Sequence, residues 1–426
     1  MNKIRLTLCV LLTSSAFASA QPSDSLRWRE VFTDPQLSAL IDTALAYNTD
    51  LRTATLRVEQ ADATLRMSRL SILPSLSAGA ESSIVNENGM AAVSKYSLPL
   101  RLQWEVGLSG RYFAENKAAE SLLWNAEETE RAVRLQLVAA IASQYYTLLM
   151  MDEQLAITRE GVENARRTVD VMEAMKEVGL QNEAAVAQAR TAWLSTAASE
   201  KTLQQQIVAA ESAMMLLLGQ QRDSIPRSRF IPDSLPLDYT AGIPLEALSG
   251  RPDVKAAEWA LRAATSQTDV ARSAFYPTLN ITASFNILDM VSEAVGSLVQ
   301  PLFNMGKNKG NLRIAKAEQE ASLAAFSQTL LMACTELRDA MSACRFSYER
   351  LSLREQEVEA ATKACEATSA LMQSGSATYL EVLSAQAALL QSRLSRCSDH
   401  LDLLQGQINL YKASGGNLFV SLQTVP

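Results

Sequence analysis

Residues 51–76 read LRTATLRVEQADATLRMSRLSILPSL and residues 254–279 read VKAAEWALRAATSQTDVARSAFYPTL; they align at a constant offset of 203 residues, with Pro74 falling on Pro277. Farther along the offset becomes 196, so that Gly110 falls on Gly306, Gly179 on Gly375, Val186 on Val382 and Leu218-Gly219 on Ser414-Gly415. The second copy therefore lacks seven residues, all between Leu279 and Gly306. Solenoid repeats run to roughly 20–50 residues, so a period of about 200 marks a duplicated domain with pseudo-twofold symmetry.

Each copy reads as helix, strand pair, very long helix, sharp turn and return helix. The first helix is predicted from Asp34-Pro35 to about Ser71, with Leu37, Leu40, Ile41, Ala44 and Leu45 on one face, and Pro74 stops it. Alternation then takes over. Leu76, Ala78 and Ala80 oppose Ser75, Ser77, Gly79 and Glu81, a turn falls at residues 86–89, and Tyr96, Leu98, Leu100, Leu102, Trp104, Val106 and Leu108 alternate with polar neighbours. The second copy repeats this with Ile281, Ala283, Phe285 and Ile287, and a less clearly patterned return is expected around Leu298 to Phe303. A proline-free stretch from Arg111 to Val178 predicts a helix of about 100 Å. Ile141, Leu148, Leu155, Val162 and Val169 recur every seven residues, answered by Leu337, Cys344, Leu351, Val358 and Cys365, which is coiled-coil spacing. Gly179 and Gly375 are the expected left-handed helix ends.

These signals give the following organisation: a leader at 1–20; a first repeat at 21–219, with hairpin 75–109, long helix 111–178 and return helix 183–218; a connecting segment at 220–242; a second repeat at 243–415, with hairpin 278–305, long helix 310–373 and return helix 379–413; and a tail at 416–426. In each repeat one long helix is matched by two short ones, which can stack end to end beside it.

Lys3 and Arg5, the apolar run Leu6 to Leu12 and Ala18-Ser19-Ala20 follow the order of a secretory signal cleaved after Ala20. The formal net charge is −7, and loss of Lys3 and Arg5 with the leader makes it −9, against the clustered basic residues that nucleic acid demands. Beyond the leader no apolar stretch reaches the roughly 18 residues of a membrane-spanning helix. Strands of about ten residues with Tyr96, Trp104 and Phe285 on an exported chain instead predict the wall of a membrane β-barrel. Four strands per chain cannot close, and an open edge in lipid leaves backbone groups unpaired, so the chain is expected to oligomerise. Two chains would give eight strands and a filled lumen, whereas three would give twelve and room for water.

The chain offers no catalytic or metal site and calls for no cofactor. Cys334, Cys344, Cys365 and Cys397 fit neither zinc spacing nor a compact disulfide framework and are expected as thiols in helix seams. The single histidine, His400, is expected on a helix surface, and Glu127-Glu128 as solvated charges; the P-loop, HExxH and GxSxG patterns are absent.

The run RPDV at 251–254 through YPTL at 276–279, the Trp104-Glu105 strand, Gln300-Pro301-Leu302-Phe303 with Gly306, and Tyr379-Leu380-Glu381-Val382-Leu383 with Gln386 resemble the TolC-like outer-membrane efflux proteins, over essentially all of the chain after the leader. The resemblance implies an α+β membrane protein of a Gram-negative outer membrane with a large periplasmic part. It is closed as a homotrimer into a twelve-stranded transmembrane β-barrel and a twelve-helix coiled-coil barrel, four strands per chain. It further implies an exit duct for small molecules that docks to a periplasmic adaptor and an inner-membrane pump. A duct for protein secretion and a structural coiled-coil surface protein are the competing readings. Many members of this branch carry a lipid on an N-terminal cysteine; here Cys9 follows Leu8 early in the apolar run, away from the position lipidation needs. Family members place acidic residues just after the glycine turn, which makes Glu381, Glu183 and the uncharged Ser384 the candidate periplasmic gate. Gly179, Gly375, Gln181, Asn182, Ser374 and Ser376 are the candidate hairpin tips for adaptor docking.

The mature protein is expected to begin at Gln21 without lipid. Intact mass of the purified protein checks this, and a diacyl increment would overturn it.

Overall fold

In the computed structural model, residues 27–85, 93–107, 109–222, 224–228, 248–288, 291–299 and 305–416 are described. The leader, the turn at 86–89, the run at 300–303, most of the connecting segment and the tail after residue 416 lie outside these residues.

Helices α1 (Arg27–Val31), α2 (Pro35–Tyr47) and α3 (Thr49–Leu70) precede the strands β1 (Ser75–Ala78), β2 (Glu81–Val85), β3 (Val93–Ser97) and β4 (Pro99–Gly107). The long helix α4 (Arg111–Glu177) and return helix α5 (Glu183–Leu218) complete the first repeat. The second consists of α6 (Pro252–Ser273), β5 (Thr278–Asn286), β6 (Val291–Val299), α7 (Lys307–Gln373) and α8 (Tyr379–Ala413). The duplication holds at the level of lengths: α3 and α6 each have 22 residues, α4 and α7 each 67.

The expected single helix from Asp34 to Ser71 is instead two. Asn48 sits between them in an extended conformation; its Oδ1 accepts from the N–H groups of Asp50 and Leu51, capping α3, while its Nδ2 donates to the carbonyl of Leu217 at 2.8 Å. Asn48 thus ties the start of α3 to the end of α5. At the equivalent place in the second repeat, Arg251 donates to the carbonyl of Ala413 at 3.0 Å and also bridges Asp253 and Glu336. The same contact between a helix start and a helix end is made twice with different side chains. Arg251 is buried, so its three acceptors offset the desolvation of the guanidinium.

The helices form two tiers. In the tier next to the sheet the packing order is α3, α4, α6, α7; in the far tier it is α5, α4, α8, α7. Both long helices run through both tiers, and the short ones meet end to end at the Asn48 and Arg251 junctions. The largest apolar core lies in the first repeat, where Leu37, Leu40, Ile41 and Ala44 of α2 pack on Ile141, Tyr145 and Leu148 of α4 and Met214 and Leu218 of α5. Tyr145 is fully buried, and its hydroxyl donates to Asp34 at 2.6 Å, so the polar tip the core encloses is satisfied.

The six strand segments follow four paths. The order β1-β4-β5-β6 is antiparallel throughout, and β2 pairs with β3 as an extension of the first hairpin. Pro99, which has no N–H to donate, opens β4, and the N–H of Leu98 goes to the Asn286 side chain instead of a strand partner. The return strand of the second repeat is Val291–Val299, earlier than the expected 298–303, because Ser292, Ala294 and Gly296 carry too little apolar bulk to mark one face.

Helix-end glycines separate two kinds of constraint. Gly219 has φ of 66° and its Cβ would lie 2.3 Å from the Tyr47 carbonyl oxygen, whereas Gly310 lies inside α7 with nothing within 4 Å. Gly219→Ala should cost about 3 kcal/mol or more through strain and collision. Gly310→Ala should gain roughly 0.5–1 kcal/mol. Thermal unfolding of the detergent-dispersed protein, followed by circular dichroism, checks both signs.

Candidate functional site

The strand register sorts the four-stranded sheet into two chemically distinct faces. Leu76 pairs with Leu102 and Ala78 with Leu100; across the next seam Leu100 pairs with Phe285, Leu102 with Ala283, Trp104 with Ile281 and Val106 with Leu279. The outer strand continues this face with Leu298, Gly296 and Ala294. The opposite face carries Ser75, Ser77, Arg101, Gln103, Glu105, Asn280, Thr282, Ser284 and Ser297. Such a sheet suits a wall with lipid on one side and water on the other. Trp104 is on the apolar face, exposed, and its indole N–H donates to the Ile72 carbonyl at 2.9 Å, at the end of the strands nearest the helices. Phe285 and Tyr96 are likewise exposed. No described helix is long and apolar enough to cross a membrane. On the polar face Arg101 pairs with Glu81 at 2.5 Å, and Glu105 accepts from Arg111 at 3.2 Å, which carries that face onto the start of α4.

At the far end of the bundle the two long helices finish in the same way. Gly179 and Gly375 have φ of 77° and 76°; the N–H of the next residue reaches back to Met175 and Leu371, and the glycine N–H to Lys176 and Met372. This is the left-handed helix termination that satisfies the last carbonyls. Asn182 then caps α5 through its Oδ1 and the N–H of Ala185. Thr378 and Glu381 cap α8 reciprocally. Tyr379, Met372 and Leu383 of the second turn pack with Val169, Met172, Val186 and Ala189 of the first, so the two tips form one apolar cluster. Gln181 is half-buried, and Ser374 donates to the Leu371 carbonyl at 2.9 Å with the Ser376 hydroxyl 3.3 Å from its Oγ.

The gate candidates are at this end, all on the surface of a single chain, and each acid is engaged locally. Glu183 is ion-paired with Lys176, which holds its carboxyl below the usual range. Glu381 accepts from the N–H and hydroxyl of Thr378, and these hydrogen bonds hold its carboxyl low as well. Within one chain, then, local partners lower both carboxyls. Ser384 is exposed and carries no charge.

Several tip features escape sequence reasoning. Val178 and Leu180, flanking Gly179, are 70% and 69% exposed, and Leu380 beside the second turn is exposed too. An apolar residue on each side of a helix-ending glycine is the available signal. Farther from the tip, Arg393 of α8 pairs with Glu160 of α4 at 3.1 Å, and a Cβ on Gly161 would lie 3.2 Å from Leu390, so this glycine lets α8 approach α4 closely. Asp399 accepts from both Arg350 and Arg354, fastening α8 to α7.

Three expectations about ordinary residues are corrected. His400 is 8% exposed rather than on the helix surface, and burial, then the nearby Arg396, pushes its pKa down. Glu128 is buried and paired with Arg131, while burial raises the pKa of its neighbour Glu127. Among the described residues all four cysteines are free, but Cys334 is exposed on the single chain instead of lying in a seam. The described residues contain no group of three or more His, Cys, Asp or Glu placed to hold a metal ion.

Comparison with known proteins gives a consistent result. The family model for "Outer membrane efflux protein" matches residues 40–220 and 243–416, the two repeats. "Cation efflux system protein CusC" of Escherichia coli is 30% identical over 404 residues, covering 91% of this chain and 88% of that protein. "Toluene efflux pump outer membrane protein TtgC" of Pseudomonas putida is 29% identical over 417 residues, covering 92% and 85%. A crystal structure of CusC superposes with a TM-score of 0.85 at 28% identity, covering 91% of this chain and 94% of that one.

Burial pushes the Cys344 and Cys397 thiols up to about 11, so neither is a reactive thiolate near neutrality. Maleimide labelling of the native protein should spare Cys344 and Cys397, and labelling after denaturation without reductant should reach four thiols. Only two thiols under those conditions would contradict the assignment.

Proposed function

The chain belongs to the outer membrane efflux protein family, and from that premise we propose that it is the outer-membrane exit duct of a tripartite efflux system, closed as a trimer. The sheet register carries this reading. A single chain presents a lipid-compatible face and a wet face on one sheet but leaves β1 and β6 each with an unpaired edge. Hydrocarbon does not tolerate open edges, and closure by copies of the same chain is the symmetric solution. Three copies give twelve strands and, in each tier, twelve helices; at this size the barrel interior is wide enough for water.

Closure in the helical tiers uses the same edges. The helical layer of one chain is bounded by α3 and α7 near the sheet and by α5 and α7 in the far tier, so the α7 of one copy meets α3 and α5 of the next. Exposed Leu331, Met332, Phe346 and Leu353 on α7, and Leu194, Val208 and Leu216 on α5, supply apolar surface for that contact. The duct then runs about 100 Å along the long helices into the periplasm.

The tips are the proposed docking ends for a periplasmic adaptor that links the duct to an inner-membrane pump. Gly179 and Gly375, with Gln181, Asn182, Ser374 and Ser376, form blunt turns whose exposed Val178, Leu180 and Leu380 offer apolar anchors. The carboxylates of Glu381 and Glu183 lie one helical turn inside these ends and are the proposed cation-attracting ring of the periplasmic opening, with Ser384 a turn farther along. The relatives named for cation efflux and for toluene efflux support a conduit for small molecules set by its pump rather than by recognition in the lumen.

In planar bilayers the purified trimer should form channels. Glu381→Gln should reduce preference for cations while leaving the heat-sensitive trimer band in place; unchanged selectivity would remove Glu381 from the constriction. Loss of the chain should sensitise cells to toxic compounds handled by its partner pump, and unchanged sensitivity to every such compound would count against the duct.

A further inference from the structure

One stretch of the helical wall carries concentrated positive charge in a chain whose formal net charge is −7. Lys309, Arg313 and Lys316 are all exposed and follow one another at spacings of four and three in the first turns of α7, so they share one side of that helix. Like charges at those spacings repel, and cations near a helix start oppose the helix dipole, so nothing within the helix stabilises the arrangement. Elsewhere in the chain a base commonly has an acid one turn away: Arg66 with Asp62, Arg134 with Glu130, Arg262 with Glu258 and Lys363 with Glu359. Among the described residues no carboxylate, that of Glu320 included, is ion-paired with Lys309, Arg313 or Lys316.

The stripe stands at the foot of the sheet. Asn308 donates to the carbonyl of Ala274, four residues before β5 begins, which sets the start of α7 level with the ends of the strands. At 1.5 Å per residue the three cations lie about 5–15 Å below Gly306, and helix side chains lean toward the N-terminus, here toward the sheet. Their direction follows from the duplication. On α4 the side that meets the polar face of the sheet is marked by Arg111, which pairs with Glu105. The offset of 196 places Lys307 at the position of Arg111. At about 100° per residue Lys309, Arg313 and Lys316 project from the opposite side of α7. Ala315 and Gln319, held against α6 by Thr268 and Thr265, lie between the two sides. On the reading that the polar face lines the lumen, the stripe is therefore on the outer wall, below the apolar face.

Height and charge choose the occupant. Strands β5 and β6 have nine residues each, which matches the apolar band of about 25 Å that outer-membrane barrels bury. Cations hanging just below such a band meet headgroups, and the long side chain of Lys316 reaches back toward them. Phe275, Tyr276 and Met305 are exposed at the same level, as interfacial apolar groups are. Phosphate is the anion that phospholipid headgroups share, and clusters of Lys and Arg beside a membrane are drawn to its anionic lipids. A neighbouring copy brings no free acid to this level. Across the proposed seam stands the end of α3, where Asp62 is already held by Arg66 and Arg69 is exposed and positive.

We propose that Lys309, Arg313 and Lys316 form an outward-facing stripe that binds the headgroup phosphates of anionic phospholipids in the periplasmic leaflet of the outer membrane, one stripe per chain. The outward direction rests on the duct reading. The test is native mass spectrometry of the detergent-released trimer with added dioleoylphosphatidylglycerol or dioleoylphosphatidylcholine. The wild type should bind phosphatidylglycerol about tenfold more tightly than phosphatidylcholine, and salt should weaken that preference. Lys309→Gln and Lys316→Gln should each weaken phosphatidylglycerol binding about fivefold. Lys307→Gln, the same charge change at the same height on the lumen side, should leave it unchanged. Trimer migration and single-channel conductance of the same preparations report assembly and the duct reading separately, so a lipid preference without channels would sink the duct and support the stripe. Equal binding of the two lipids, undiminished binding by Lys309→Gln and Lys316→Gln, or an equal loss in Lys307→Gln would overturn the proposal. Displacement of the lipid by equimolar inorganic phosphate would overturn it too, as a site for the free anion. So would dissociation of the Lys309→Gln or Lys316→Gln trimer in lipid-free detergent, which would make these cations seam contacts.

Discussion

Hydrogen bonding of the backbone in hydrocarbon is the constraint on which the rest of this molecule depends. A sheet whose two faces differ as cleanly as Leu100, Leu102 and Trp104 against Arg101, Gln103 and Glu105 has its solvent assigned on each side. Its edges have no such solution within one chain. In the proposed trimer the open sides of β1 and β6 are closed by neighbouring copies, and the helices below follow the same ring. This explains why many apolar side chains on α5 and α7 look misplaced on the single chain. In the proposed trimer they are interior residues.

Duplication solves the problem of matching a sheet to a tall helical wall. Each repeat contributes one strand pair and one long helix, and the short helices fill the remaining width. The joint between tiers is made twice, by Asn48 to Leu217 and by Arg251 to Ala413, with a left-handed glycine, Gly219 or Gly415, beside each. The two copies have diverged in chemistry while keeping the geometry: a neutral amide suffices where α2 adds an apolar core, and a buried guanidinium with Glu336 holds the joint where the described residues show a smaller one.

What the sequence makes legible follows from how local the cause is. The return helices, expected at 183–218 and 379–413, are observed as Glu183–Leu218 and Tyr379–Ala413, because a glycine, a capping side chain and the next stop signal all lie within a few residues of each boundary. The break at Asn48 is invisible from the chain alone, since the carbonyl that holds its side chain belongs to Leu217, 169 residues away. Strand β6 is hard to place by pattern because Ser292, Ala294 and Gly296 barely differ in polarity from Glu293, Val295 and Ser297 once a Val stands on the wet side. Residue type alone puts His400 and Glu128 in water, whereas their burial depends on neighbouring helices. At the tips, glycine spacing locates the turns, but the local engagement of Glu381 by Thr378 and of Glu183 by Lys176 needs coordinates. The stacked indoles of Trp124 and Trp259 join two distant stretches of the chain and have no sequence signature.

The end-to-end stacking of short helices has a mechanical consequence. Around the proposed ring, continuous beams would alternate with jointed staves, with the joints at the level of the Asn48 and Arg251 junctions. A wall of that construction is stiff in compression along its axis, because the beams carry load past the joints. It is compliant to splaying below that height, where a stave can tilt about its glycine joint without stretching any helix. In the proposed trimer the height of the joint, not the strength of the tip contacts, would then set how far along the tube the cross-section is free to change.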